Sequence, residues 1–216
     1  MSSDSDGDVV SVLEASFLSV LRPAVLAQLA RELAITEVPA RRVIFDYELS
    51  IIVAGRFRAY ITDPAGRQLT VGYLSASSAI GLAHVAGRRY PTAFQSLSTG
   101  TLLRIGDARF AQMLAVHPEL GWTAATEIAS RLDDIEAELA RVAFGSLRQR
   151  IAYHLLALSG ERNEAVHQAQ LAAAVGSVRE VVARSLAQLR TDGLIDVGPG
   201  GATVADRPTL ARLADT

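Results

Sequence analysis

The sequence predicts an α+β fold in which a β-roll is followed by a long helix and a C-terminal winged helix-turn-helix. Apolar residues alternate with a period of two over much of residues 35–105, and then recur in steps of three and four before a region of short helices. We therefore divide the 216 residues into a disordered tail (1–8), a β-roll domain with N-terminal helices (9–116), a dimerisation helix (117–144) and a winged helix-turn-helix domain (145–216).

The composition is that of an ordinary globular protein and excludes several chemistries. Half of the residues are hydrophobic and 20% are charged, and no apolar run reaches the roughly 20 residues that a membrane span needs. Residues 1–8 are acidic and polar, unlike a signal peptide, so we expect a cytoplasmic protein. The chain has no cysteine and all 21 of its basic residues are arginine, which excludes disulfides, thiolate metal sites and lysine-based catalysis.

The first half of the chain changes from helical to strand-like periodicity. Residues 9–33 carry apolar side chains at helical spacing, and Pro23 is expected to begin a second short helix. From Ile35 the period becomes two, and the proline and glycine of residues 63–66 favour a tight turn between two strands. Several short strands separated by turns predict an all-β sandwich or barrel. The last two strands are expected at residues 92–97 and 101–105.

The long helix carries a narrow apolar seam with the spacing of a coiled coil. The seam consists of Ala125, Ile128, Leu132, Ile135, Leu139 and Val142. A helix lying on its own sheet would show a wider stripe, so this pattern favours a contact between two copies of the chain. We interpret the intervening acidic residues, including Glu136 and Glu138, as solvated helix surface.

The strongest signal is the stretch QAQLAAAVGSVREVVARSLAQL, which meets three steric requirements of a helix-turn-helix. Ala172 is small where the two helices approach, Gly176 supplies the positive φ of the turn, and Val182 lies on the buried face of the second helix. Ser177 is expected to cap the second helix, with Glu180 at the capping-box position. An ordinary helical hairpin is the alternative, and it does not require all three features at these spacings.

The second helix of this motif is expected to read DNA. It would present Arg179, Glu180 and Arg184 near its N-terminal half, where recognition helices meet base edges. Arginine can bind guanine bidentately and glutamate can accept from cytosine. The following strand–turn–strand forms a small wing whose backbone amides, at Gly200 for example, could contact phosphate. A surface that binds another protein would more often expose apolar anchors.

These segments together resemble the Crp/Fnr family of transcription regulators. The resemblance covers nearly the whole chain after the tail and is strongest in AFGSLRQRIAYHLLAL and GSVREVVARSLAQLRTDGLI, while GRFRAYITDPAGRQLTVGYL is similar to the family's central roll strands. It implies a cyclic-nucleotide-binding-like jelly roll and a homodimer that reads a near-palindromic site with half-sites close to TGTGA. It also implies base reading by Arg179, Glu180 and Arg184, and backbone contacts near His167, Gln168 and Ser177.

The part of the β-roll domain that binds the cyclic nucleotide in the family departs from the family pattern. Cyclic-nucleotide binders carry a glutamate directly after the glycine that corresponds to Gly81, and this chain has Leu82 there. They also carry an arginine followed by serine or threonine at the positions where this chain has Pro91 and Thr92. Losing that carboxylate removes a charge-assisted hydrogen bond typically worth about 1.5–3 kcal/mol. The residues of an atypical effector pocket would be Gly81, Leu82, Arg89 and Thr92, with Arg88 close by.

On the long helix, the hydroxyl pair with which the family reads adenine is replaced by Ile135 and Glu136. We therefore predict that cyclic AMP is not a strong ligand and that the protein carries no cofactor. The alternative is a ligand-dependent regulator that senses a cyclic nucleotide or another small effector through the atypical pocket.

The remaining polar residues suggest no catalytic or metal centre. Asp133 and Asp134 are adjacent on a helix and point in different directions, and no serine elbow or phosphate-binding glycine loop is present, so we predict that the protein is not an enzyme. We expect structural roles for all four histidines and no metal site, with haem at His84 as a minor alternative. The expected partners are double-stranded DNA and a second copy of the chain, with RNA polymerase as a further candidate and no membrane.

The net charge of the C-terminal domain bears on its affinity for non-specific DNA. From Gly145 onward the chain has eight arginines and seven acidic residues, a net charge of +1. Such a weak basic footprint predicts low non-specific affinity and a shallow salt dependence.

Overall fold

The computed structural model describes residues 3–44, 48–85, 87 and 91–215, and their side chains from Asp8 onward. The chain forms two compact units. The first comprises Met1–Ala59 and Gly72–Asp134, and the second comprises Tyr60–Val71 and Ile135–Thr216. Among the described helices, none is both long and apolar enough to cross a membrane.

The first unit begins with helix α1 (Ser3–Glu14), a 3-10 helix (Phe17–Val20) and helix α2 (Pro23–Glu32). Pro23 is the first residue of α2, as predicted. Residues 3–8, which we expected to form a disordered tail, belong to the first turns of α1. Acidic residues stabilise a helix N-terminus through the helix dipole, and the next turns are anchored by Val9 and Leu13, which are buried.

Within the described residues, eight strands form two four-stranded sheets. In chain order the strands are β1 (Ala34–Val38), β2 (Val43–Ile44), β3 (Ser50–Ala54), β4 (Phe57–Thr62), β5 (Gln68–Leu74), β6 (Ala79–Ile80), β7 (Ala93–Ser96) and β8 (Gly100–Arg104). One sheet has the order β1-β8-β3-β6 and the other β2-β7-β4-β5. The turn after β4 closes with a bond from the Gly66 amide to the Asp63 carbonyl, as its proline and glycine predicted. The expected roll is therefore present, although β6 and the short helix α3 (Leu82–Val85) were not predicted.

Helices α1, α2 and α4 (Asp107–Val116) share one apolar core with strands β3 and β8. Phe17 and Phe110 meet edge to face in this core, with ring centroids 5.8 Å apart. The long helix α5 (Leu120–Phe144) begins here, with Leu120 and Ala124 buried in the same core.

The second unit carries helix α6 (Leu147–Ser159), α7 (Gln168–Val175), α8 (Arg179–Thr191), strands β9 (Ile195–Gly198) and β10 (Gly201–Val204), and helix α9 (Arg207–Asp215). The break between α5 and α6 lies where it was predicted. Ser146 caps α6, and its amide donates to the Gln149 side chain in a capping box. Helix α9 was not predicted. Asp206 precedes it and accepts from the Thr209 amide at 3.0 Å, and this bond lowers the pKa of the Asp206 carboxyl.

Candidate nucleic-acid interface

Helices α7 and α8 form the predicted helix-turn-helix. Gly176 ends α7 in the left-handed conformation, with φ 66° and ψ 33°, where its amide bonds to the Ala172 carbonyl. Only glycine adopts this conformation without strain, which explains the requirement for it in the turn. The buried side chains that join the two helices are Leu171, Ala172, Val175, Val182, Leu186 and Leu189.

The predicted cap of α8 is wrong by one residue. The helix begins at Arg179 and its N-cap residue is Val178, which provides no side-chain cap. Ser177 belongs to the turn instead, because its amide donates to the Ala172 carbonyl at 3.0 Å. Glu180 is therefore the second helical residue, and its carboxylate is not committed to a capping box.

The three predicted base readers lie on the exposed side of α8. Arg179, Glu180 and Arg184 are all solvent-exposed. Within the described residues, none of the three forms a side-chain hydrogen bond or an ion pair, although Glu180 and Arg184 are spaced for one. The N-terminal half of α8 thus offers two forked donors and one acceptor that are free to meet a ligand.

The residues expected to contact phosphate lie at the edges of the motif. His167 and Gln168 are exposed where α7 begins, and the His167 amide donates to the Gln170 side chain at 3.0 Å. Ser177 is half-buried in the turn, and Gly200 is exposed between the two wing strands. The structure places these four residues in the same compact unit as α8.

The wing is attached to the motif through contacts that the sequence did not indicate. Val166 exchanges two backbone hydrogen bonds with Ala202 of β10, at 2.8 and 2.9 Å. Gly201 has a φ of 123°, and a Cβ atom there would lie 2.4 Å from the Val166 carbonyl oxygen. Glycine is therefore required at this position, and it holds the wing against the start of α7.

A second unforeseen contact joins the tip of the β4–β5 hairpin to the turn of the motif. Leu69 and Val175 form an isolated antiparallel bridge. The Leu69 Cδ1 atom lies 3.4 Å from the position that a Cβ atom would take on Gly176. Pairing between segments this far apart in sequence leaves no periodic signal, so only the folded chain reveals it.

The interpretation of Glu138 as solvated surface is wrong. Its side chain is 3% exposed, and its Oε1 lies 3.2 Å from Nε2 of His154, which is fully buried on α6. The Nε of Arg141 donates to Glu138 Oε2 at 2.9 Å. Helical periodicity places Glu138 off the apolar seam, but it cannot show that α6 returns to cover this side of α5. Glu136 is exposed, as predicted.

Comparison with known proteins identifies the C-terminal domain. Residues 149–213 match the Crp-like helix-turn-helix domain family. The chain is 28% identical to the cyclic AMP receptor protein of Thermus thermophilus over 171 aligned residues. The aligned segment covers 77% of this chain and 79% of that protein. The C-terminal part of the chain therefore contains a Crp-like helix-turn-helix domain, and the chain as a whole is similar to a cyclic AMP receptor protein. This similarity supports DNA-binding transcription regulation, as the resemblance predicted.

Two solved structures show the same fold. A Crp/Fnr-family transcriptional regulator from Eubacterium rectale has a TM-score of 0.79 at 20% identity, covering 92% of this chain and 97% of its own. Another from Thermus thermophilus has a TM-score of 0.72 at 24% identity, covering 85% and 99%. The predicted fold class, a β-roll with a long helix and a C-terminal helix-turn-helix, is confirmed.

The apolar seam of α5 is open to solvent in this chain. Ile128, Leu132, Ile135, Leu139 and Val142 are between 37% and 65% exposed, and Ala125 is exposed too. Large apolar side chains in a continuous row are rarely left in water by a soluble single chain. The seam therefore remains a candidate interface.

The region of the expected effector pocket is only partly described. Leu82 is buried, and Gly81 and Thr92 are half-buried. Arg88 and Arg89, predicted near the effector pocket, lie outside the described residues. His84 Nε2 lies 4.0 Å from a carboxylate oxygen of Asp107. In the described part of the chain, no group of three or more acidic or histidine side chains could hold a metal ion.

Proposed function

We propose that this regulator acts as a homodimer that recognises a near-palindromic DNA site by inserting α8 into the major groove. The observation that carries the proposal is the row of exposed, uncommitted side chains on the N-terminal half of α8: Arg179, Glu180 and Arg184. Recognition helices of this class meet base edges with their N-terminal residues.

The chemistry of the three side chains suggests which bases they read. Each arginine can donate two bonds to O6 and N7 of one guanine, and Glu180 can accept from N4 of a cytosine. Because Glu180 is not paired with Arg184, binding need not first break an ion pair within the helix. This set supports a half-site with G·C pairs at the positions that α8 contacts, as in the TGTGA that the family resemblance implies.

The apolar seam of α5 supports the dimer. Two copies of the helix packed along this seam would bury its six exposed apolar residues, and closed two-fold symmetry is the usual form of a homo-oligomer. Two-fold symmetry in the protein calls for two-fold symmetry in the operator, with half-sites about one helical turn apart.

Contacts with the DNA backbone would fix the register of α8. His167 and Gln168 at the start of α7, Ser177 in the turn and Gly200 in the wing are the residues we assign to phosphate. Because the net charge after Gly145 is only +1, most of the specific affinity would come from base contacts. Affinity for random duplex should be low and should depend weakly on salt.

The experiment that tests this function is selection of bound sites from a random duplex pool, with purified protein and no added ligand. Enrichment of a palindrome with half-sites one helical turn apart would support it. Binding without enrichment, equally tight on scrambled duplex, would contradict it. Enrichment of a single unrepeated site would contradict the symmetric dimer while leaving base reading intact.

A second candidate, a regulator controlled by a small effector, is favoured by the similarity to a protein named for cyclic AMP. Leu82 argues against cyclic AMP itself, because a buried leucine stands where the ribose-binding carboxylate of cyclic-nucleotide binders would be. Titration calorimetry with cyclic AMP should show no binding at micromolar ligand. Micromolar or tighter binding would establish the second candidate.

A further inference from the structure

Helix α5 and helix α6 are separated only by Gly145 and Ser146. A break of two residues, one of them glycine, leaves several backbone dihedral angles with which the angle between the helices can change. The capping box of Ser146 and Gln149 fixes where α6 starts, but it does not fix the direction in which α6 leaves α5. Side-chain contacts between the two helices must set that direction.

A buried polar cluster provides these contacts. Glu138 of α5 holds His154 of α6 through Oε1 at 3.2 Å and Arg141 through Oε2 at 2.9 Å. The Arg141 guanidinium lies over the ring of Tyr153, 3.8 Å from its centroid, and the rings of Tyr153 and His154 meet edge to face. One carboxylate thus engages two consecutive residues of α6, one directly and one through Arg141.

The burial of this cluster is costly. Moving a carboxylate out of water carries a large desolvation penalty, and replacing buried ionic groups with apolar residues of similar volume is often neutral or stabilising. Apolar packing, however, tolerates rotation and sliding, whereas a hydrogen bond to a fixed ring nitrogen is directional. Such a cluster is better suited to select one arrangement of the two helices than to stabilise the fold.

The orientation of α6 matters for the remainder of the domain. Ile151 and Leu155 of α6 are fully buried, and α6 packs against both α7 and α8. A rotation of α6 relative to the end of α5 would therefore carry α8 with it. In a dimer, two recognition helices must keep a fixed separation to meet both half-sites.

We propose that Glu138 is a positioning residue whose bonds to His154 and Arg141 set the angle between α5 and α6, and thereby the placement of α8 on DNA. The effect on DNA rests on the function proposed above. The effect on helix placement does not, so the two can be tested separately.

Helix placement can be measured by spin-label distances, because the chain has no cysteine of its own. Labels at Glu136→Cys and Arg190→Cys, both exposed positions, report the distance from α5 to α8. Labelled chains are mixed with excess unlabelled chain to isolate the distance within one chain. We expect a narrow distribution in the parent protein and a broader or displaced one in Glu138→Leu/His154→Leu. An unchanged distribution in a folded double variant overturns the proposal.

DNA affinity tests the consequence. Glu138→Leu/His154→Leu should lose specific affinity by roughly tenfold, within the range of energetic coupling between sites, while its thermal midpoint stays level or rises. His154→Gln keeps a donor for Glu138 and should recover most of the loss seen in His154→Leu, whereas a purely space-filling role would rank leucine above glutamine. Glu136→Gln, on the exposed side of α5, is the matched control and should bind as the parent does.

The two proposals fail in different ways. If the parent does not prefer its selected site over scrambled duplex, the proposed function fails, and the label distances still decide the role of Glu138. If the parent discriminates but the Leu/Leu variant binds equally well, base reading stands and the positioning role is overturned.

Discussion

Asn163 and Val204 are joined by two hydrogen bonds of 2.8 Å, one from the Asn163 Nδ2 to the Val204 carbonyl and one from the Val204 amide to the Asn163 Oδ1. The asparagine side chain thereby pairs with β10 as a neighbouring strand would. Asn163 itself has a φ of 52°, a left-handed conformation that asparagine adopts more readily than most residues. The loop between α6 and α7 is fixed to the wing at this point.

Asn163→Ala should therefore lower the free energy of unfolding by about 1–3 kcal/mol, because the buried Val204 amide and carbonyl lose their partner. Asn163→Asp retains the acceptor and should fall between the alanine variant and the parent. Urea unfolding gives the free energy of unfolding of the parent and of both variants. A change of less than about 0.5 kcal/mol in the alanine variant, as for an ordinary surface substitution, would show that these bonds contribute little.

Gly201→Ala should destabilise the second unit by about 1–3 kcal/mol, the usual cost of enforced backbone strain. Its φ of 123° and the 2.4 Å approach to the Val166 carbonyl leave no room for a methyl group. Gly198→Ala in the same wing is the matched control, because nothing lies within 4 Å of its Cβ position and its φ is not positive. Thermal unfolding of both variants gives the comparison. Equal thermal midpoints for the two variants would contradict the requirement for glycine at residue 201.

Leu139→Asp should weaken the proposed dimer about 30-fold or more, as expected for an interface residue worth about 2 kcal/mol. Leu139 is a seam residue that is 65% exposed, and a carboxylate there would be buried opposite an apolar partner helix. Val116→Asp, at a 72% exposed position on α4, adds the same charge away from the seam and should leave association unchanged. Sedimentation equilibrium measures the dimer dissociation constant of both variants. Identical association of the two variants would place the interface elsewhere.

The cap of α9 should depend on pH. The Thr209 amide holds the pKa of Asp206 below its usual value, so the folded state favours the carboxylate. The stabilisation is present above the ordinary aspartate pKa of about 3.9 and is lost as the pH falls through the lowered value. Asp206→Asn removes this titration. Chemical unfolding should show the parent more stable than Asp206→Asn at neutral pH, with a gap that closes in acid. A gap independent of pH would contradict the cap.

The parts of the site that the sequence predicted correctly are those set by local sterics. Gly176 must adopt a positive φ, and Ala172 and Val182 must fit between two crossing helices, so residue type and spacing identify the motif. The start of α8 was misplaced because Ser177 could serve either as a cap or as part of the turn, and both roles suit serine.

The contacts that the sequence did not predict depend on pairing between distant segments. The pairing of Glu138 with His154 and that of Leu69 with Val175 leave no trace in periodicity, because each depends on where another element packs. Helix α9 is a different case. An aspartate before Arg207 and Pro208 is an ordinary helix start, so this local signal could have been used.

The most direct test of base reading is to measure the affinity of Arg184→Ala for the selected palindrome and for versions substituted symmetrically at each half-site position. Arg190→Ala is the matched control, since it removes the same charge from the C-terminal end of α8. We predict that Arg184→Ala loses about 1–3 kcal/mol on the parent site and loses preference at one position of the half-site, whereas Arg190→Ala keeps every base preference. An Arg184→Ala variant that still discriminates at every position would contradict the reading of DNA by this face of α8.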